Sequence, residues 1–164
     1  MRASYALPLI ATLLVVLPAH AETINGKVIG VTDGDTITVL DQQKRSYKIR
    51  LSGIDAPEKA QAFGQASKQS LSELVYGKEV SVEWHKVDRY ERIVGKVLVA
   101  GADANLKQVA RGLAWHYKKY ASEQPSQEAT TYADTENAAR AQRLGLWSDA
   151  HASPPWDWRK QKRK

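Results

Sequence analysis

The sequence predicts a mainly β chain with added helices, an α+β fold built on a five-stranded Greek-key barrel of the OB type with about three helices. Three observations support this. Five short stretches alternate apolar and polar residues with period two, a helical period follows the third of them, and the other helical stretches come near the end. A purely antiparallel sandwich does not readily place a helix at that point.

Ile24, Lys27, Val28, Ile29 and Val31 read as the first strand, with Gly26 and Gly30 marking bends or bulges. Asp33-Gly34 is a turn signal, and Asp35 to Leu40 then alternates as a half-buried strand should. After the polar turn Asp41-Gln42-Gln43-Lys44, a third strand sets Tyr47, Ile49 and Leu51 on one face and Arg50 on the other. Pro57 cannot donate to a ladder and holds Ala56 extended, so Asp55 and Glu58 fall on a stiff connection. Such a connection suits groups that must be aimed.

Residues 65–76 take a helical period, capped by Gly77. Strands follow over 79–86 and 93–100, joined by the charged turn Asp88-Arg89-Tyr90-Glu91-Arg92. Asn105 is placed to cap a short helix over 106–111, closed by Gly112. Pro125 opens a last helix that stops at Gly145. Trp156, Trp158 and the lysine-rich end read as an ill-ordered basic tail, a candidate for non-specific capture of nucleic acid.

The chain begins with Met1-Arg2, an apolar stretch from Ala6 to Leu17, Pro18 and then Ala19-His20-Ala21. This is the pattern of a secretory signal peptide cut after Ala21, too short for a membrane span, so no stable membrane anchor is expected after cleavage. The organisation expected is a signal peptide over 1–21, one domain over 22–150 and a tail over 151–164, in an exported, secreted or periplasmic monomer. Lys and Arg number 24 against 18 Asp and Glu, a formal charge of +6 that favours a polyanionic partner. The chain has no cysteine, which excludes disulfides and thiolate zinc sites.

The acids of the stretch from Asp33 to Glu58 are more than folding needs. Oxygen-only carboxylate sets with no His or Cys beside them suit hard cations, calcium above all, and Asp35 and Asp55 are the first candidates. Nearby carboxylates repel one another unless a cation, an arginine or a proton offsets them. Taken singly, Asp33 as a turn residue, Asp55 as a cap and Arg50 in a surface ion pair need no function. Their co-occurrence does. His85 and His116 have no carboxylate at a suggestive spacing, and Trp84, Trp115 and Trp147 suit a core.

Asp33-Gly34-Asp35-Thr36, then Arg50-Leu51, then Ile54-Asp55-Ala56-Pro57-Glu58 resemble the first signature of the staphylococcal-type thermonuclease family. Asp88-Arg89-Tyr90 with Arg92 and Gly95 resembles its second signature, and Gly112-Leu113-Ala114 and Gly145-Leu146-Trp147 resemble later landmarks. The resemblance spans residues 24–158. It implies a calcium-dependent OB-fold nuclease acting on DNA and RNA and leaving 3′-phosphate and 5′-hydroxyl ends. On that resemblance Asp35 and Asp55 hold the metal by side chain, Ala56 by its backbone carbonyl, and Asp33 supports the site from close by. It further implies that Glu58 positions or deprotonates the attacking water, that Arg50 and Arg92 grip the phosphate, and that Arg89, Tyr90 and Tyr117, with Tyr120 nearby, contact the rest of the substrate.

Two departures stand out. Glu91 replaces the family's glycine or glutamine, and if Tyr90 to Arg92 is extended it faces away from Arg92. The span from Glu58 to Arg92 is also short, implying a trimmed loop beside the site. Two readings from other classes compete: a non-catalytic OB-fold nucleic-acid-binding module, and a polyanion-binding protein whose calcium only stabilises the fold.

Overall fold

The structure is a computed structural model and describes residues 22–162; the signal peptide expected over residues 1–21 lies outside the described residues. The long strands are β1 (Glu22–Val31), β2 (Thr36–Leu40), β3 (Ser46–Leu51), β5 (Glu79–Val87) and β6 (Ile93–Val99). Of the two-residue strands, β4 (Ile54–Asp55) lies between β3 and β5, and β7 (Ala102–Asp103) and β8 (Trp115–His116) follow β6. The helices are α1 (Gly64–Val75), α2 (Ala104–Ala110), α3 (Ser126–Ala141) and α4 (Pro155–Gln161).

The sheet runs β3-β2-β1-β5-β6-β7 through antiparallel neighbours, and β3 then pairs parallel with β6, closing five strands into the expected barrel. Strand alternation decides what fills it. Ile37, Val39, Ile49 and Leu51 point inward and are 0–1% exposed. Full burial of such side chains stabilises by roughly 1.5–3 kcal/mol each. The same period sends Arg50 to the outer face, opposite Thr36 of β2 and Val94 of β6.

The two-residue strands escape a periodicity reading because they are too short to alternate. One of them matters: Asp55 lies in β4, paired with Trp115 of β8, rather than in an open connection. Asn105 does not cap α2 as expected. Asp103 does, accepting from the Leu106 N–H at 2.9 Å. Asn105 is instead fully buried, accepting from Val97 N–H and donating to the carbonyls of Ser52 and Gly95, a brace between barrel and loop.

The C-terminal stretch also differs from expectation. Residues 155–161 form α4, introduced by Pro154-Pro155, where a missing N–H costs nothing. Two turns are too short to show a helical period. Trp156 packs edge-on to Trp115 at 5.6 Å and face to face with Tyr117 at 5.3 Å. It therefore sits beside the acids.

Gly34 has a role that turn chemistry alone does not suggest. A Cβ there would lie 1.9 Å from Ser67 Oγ on α1 and 2.7 Å from the Ala56 side chain. Its carbonyl accepts from Gln108 Nε2, whose own Oε1 accepts from Ser70 on α1. The Asp33–Asp35 turn is thus pressed against α1 and the Ala56 side chain. Gly34→Ala should lower stability by about 1–3 kcal/mol through overpacking, read as the shift in a urea melt.

Candidate active site

Asp35 immediately precedes β2 and Arg50 is the penultimate residue of β3, brought close by the antiparallel pairing of Thr36 with Arg50, and Leu51 N–H donates to the Asp35 carbonyl at 2.8 Å. Asp55 follows on β4. The Asp35 carboxylate accepts the Ala56 N–H at 2.7 Å, which ties the first acid to the backbone beside the second. Arg50 lies between them, with Nη1 3.1 Å from Asp35 Oδ2 and Nη2 2.9 Å from Asp55 Oδ1. Asp33 accepts from the Asp35 N–H at 3.1 Å, so the turn aims both acids.

Glu58 is one short loop further on. Its carboxylate is partly exposed, while its N–H is fixed by Gln61 Oε1 at 3.1 Å. Arg92 precedes β6, whose first residue pairs with Ile49, so the parallel closure brings Arg92 to the same groove. Its Nε and Nη2 engage Asp88 Oδ2 at 2.8 and 2.7 Å. Arg89 and Arg92 lie over the exposed Tyr90 ring at 4.9 and 5.5 Å.

Glu91 is not extended. Its φ is 59°, a left-handed conformation that glycine adopts without strain, within a turn whose Asp88 carboxylate accepts the N–H groups of Tyr90 and Arg92.

Asp33, Asp35, Arg50, Asp55, Glu58, Asp88, Arg89, Tyr90 and Arg92 line one open groove of about 950 Å³, joined by Tyr117, Tyr120, Lys86 and Lys119. Tyr117 has one face covered by Trp156, nearly parallel at 7°, and Tyr120 meets it edge-on at 5.0 Å. His116 is buried against Gln124 and Tyr132, whereas His85 lines the same groove, half-exposed beside Glu123.

A cation would meet an oxygen-only donor set. Among the described residues no three acids or histidines form a ready-made metal cage. Two carboxylates and a backbone carbonyl still suit a hard cation that completes its shell with water. The electrostatics favour positive charge here. Burial, followed by the Asp35 charge, pushes the Asp33 carboxyl up to about 6. Burial also raises Asp55, against the opposing pull of Arg159 and Arg50. The chemistry of these residues therefore fits a hard cation.

The raised Asp33 has a measurable consequence. Its folded pKa of about 6 exceeds the ordinary 3.8, so the folded state holds more protons between those values. The contribution is full below pH 3.8 and is lost as pH rises through 6. In calcium-free buffer, Asp33→Asn should gain on the order of 2 kcal/mol over wild type between pH 4 and pH 7, seen in paired denaturation curves.

Sequence reading missed Arg159 and Trp156 as site residues. Arg159 Nη2 lies 2.6 Å from Asp55 Oδ2, and its Nη1 lies 2.7 Å from Glu58 Oε1. Pro154-Pro155 signals a helix start. Nothing local signals a partner 104 residues away.

Fold and site together define a small OB-type barrel whose outer face gathers acids and guanidinium groups in a groove open to a polyanion. Residues 48–149 match the family model described as staphylococcal nuclease homologue. The chain is 42% identical over 146 residues to an "Uncharacterized endonuclease" of Escherichia coli, covering 88% of this chain and 91% of that protein. It is 41% identical over 157 residues to a "Micrococcal nuclease" of Shigella flexneri, covering 90% and 87%. An "Uncharacterized endonuclease" of Haemophilus influenzae matches at 41% over 137 residues, covering 84% and 74%. The chain belongs to the staphylococcal nuclease homologue family. Family and site together make it a hydrolase of phosphodiester bonds.

Proposed function

We propose that the protein is an exported, monomeric, calcium-dependent nuclease that hydrolyses DNA and RNA to 3′-phosphate and 5′-hydroxyl ends. The observation that carries this reading is the convergence of Asp35, Asp55, Arg50 and Glu58 at one end of an open groove edged by Arg92 and Tyr117. A binding module would gain little from carboxylates aimed at phosphates, which repel it.

Asp35, Asp55 and the Ala56 carbonyl would hold calcium, with Asp33 supporting them through the Asp35 backbone. Bound there, the cation supplies charge neutralisation at the phosphoryl oxygens. Glu58 Oε, partly exposed in the groove, takes the proton of the attacking water as the water oxygen bonds phosphorus, while the P–O5′ bond breaks and the leaving 5′ oxygen takes a proton from solvent. Arg50 and Arg92 stabilise the negative charge that gathers on the equatorial oxygens of the phosphorane-like transition state. Arg92 uses Nε and Nη2 on Asp88, which leaves Nη1 donors for a phosphate oxygen. Tyr90 and Arg89 contact a neighbouring phosphate, and Tyr117 and Tyr120 offer faces to a base, a contact worth roughly 1–3 kcal/mol.

Export rests on the apolar stretch before Ala19-His20-Ala21. No helix among the described residues is long and apolar enough to cross a membrane.

The product ends test the assignment. Single- and double-stranded DNA and RNA digested with calcium should yield fragments that a polymerase extends only after phosphatase treatment. Fragments extended directly would contradict the proposed bond cleavage, and tight binding without fragments would favour the non-catalytic module.

A further inference from the structure

Arg159 reaches the acids from a helix that is firmly held. Pro155 is buried, Trp156 is stacked on Tyr117, and Gln61 Nε2 donates to the Ser153 carbonyl at 2.5 Å while Gln61 Oε1 accepts the Glu58 N–H. The Glu58 loop and the approach to α4 are therefore pinned by one buried glutamine. From this anchorage the Arg159 guanidinium spans two carboxylates: Nη2 to Asp55 Oδ2 at 2.6 Å, Nη1 to Asp55 Oδ1 at 3.2 Å and to Glu58 Oε1 at 2.7 Å.

The charge balance gives the contact a purpose. Asp33, Asp35, Asp55 and Glu58 line one end of the groove, Arg50 opposes them, and Arg92 is engaged by Asp88. With a divalent cation added, these four acids and Arg50 would still carry one surplus negative charge toward an anionic phosphate. Arg159 cancels it. A planar guanidinium can also bridge two carboxylates at once, which a lysine ammonium does poorly.

We propose that Arg159 is a positioning residue of the hydrolytic site: it tethers Glu58 to Asp55 and brings the charge that lets the cation-loaded site accept a phosphate. The inference rests on the nuclease reading above. The alternative for the same contacts is a plug, in which Arg159 stands in the cation's place and Trp156 takes one face of Tyr117 from a base. The two differ in sign. A positioning charge opposes calcium and favours the polyanion, whereas a plug opposes both.

The test measures two affinities on the full chain, wild type, Arg159→Gln and Arg159→Lys: calcium by titration calorimetry, and a cleavage-resistant phosphorothioate oligothymidylate by fluorescence anisotropy at saturating calcium. Arg159→Gln should bind calcium more tightly, weaken the oligonucleotide by about tenfold and lower kcat. Arg159→Lys should recover most of the oligonucleotide affinity but little of kcat, because one ammonium bridges both acids poorly; if the glutamine variant melts early, the lysine variant carries the comparison. Tighter binding of both ligands would make α4 a plug and overturn the proposal, as would unchanged oligonucleotide affinity and kcat. A wild-type protein that cleaves nothing with any divalent cation would strike the nuclease reading instead.

Discussion

Arg50→Ala should cost on the order of 10²–10³ in cleavage rate and also destabilise the fold by about 3–5 kcal/mol. Its side chain is only 13% exposed and contacts both Asp35 and Asp55, so its removal leaves two buried carboxylates without their shared counter-charge. Burial works against the charged guanidinium, but Asp35 and then Asp55 outweigh it and raise its proton affinity. A further donor, to the Leu51 carbonyl at 3.0 Å, fixes its plane. The combination distinguishes Arg50 from Arg92, whose partner Asp88 is a surface acid of its own turn. Arg92→Ala should lose rate with little loss of melting temperature. Calcium should restore part of the stability of Arg50→Ala but not its activity.

Glu58→Gln should lower the cleavage rate by about 10²–10⁴, the range for removing a general base, while leaving the fold intact. The substitution keeps the shape and removes the basic oxygen, and the backbone position is set independently by Gln61. Glu58 is not among the groups proposed to hold calcium, so the calcium dissociation constant should change far less than the rate. Equal losses in metal affinity and rate would recast Glu58 as a cation ligand.

Much of this was legible in residue order. Period-two alternation showed which residues of β2 and β3 face inward, and so placed Arg50 outside the barrel. Asp35, Asp55 and Arg50 were readable as a group because they occupy strand ends that a Greek-key barrel brings together. Two kinds of feature were not readable. Short elements such as β4 and α4 carry too few residues for a period to emerge. Long-range polar partners depend on packing: Asn105 looked like a helix cap but serves as a barrel brace, and Arg159 looked like part of a basic tail but meets Asp55. Glu91 misled for a third reason, since a left-handed φ leaves little trace when the residue is not glycine.

On the proposed function, these acids assemble a calcium-dependent hydrolytic site. The most direct measurement follows cleavage of single-stranded DNA by the purified protein in calcium and in a calcium chelator, with Asp55→Asn alongside. A calcium-dependent site predicts cleavage by wild type in calcium, none in the chelator, recovery when calcium is restored, and loss in Asp55→Asn at every calcium concentration where wild type is active. Undiminished cleavage in the chelator, or by Asp55→Asn at limiting calcium, would contradict it.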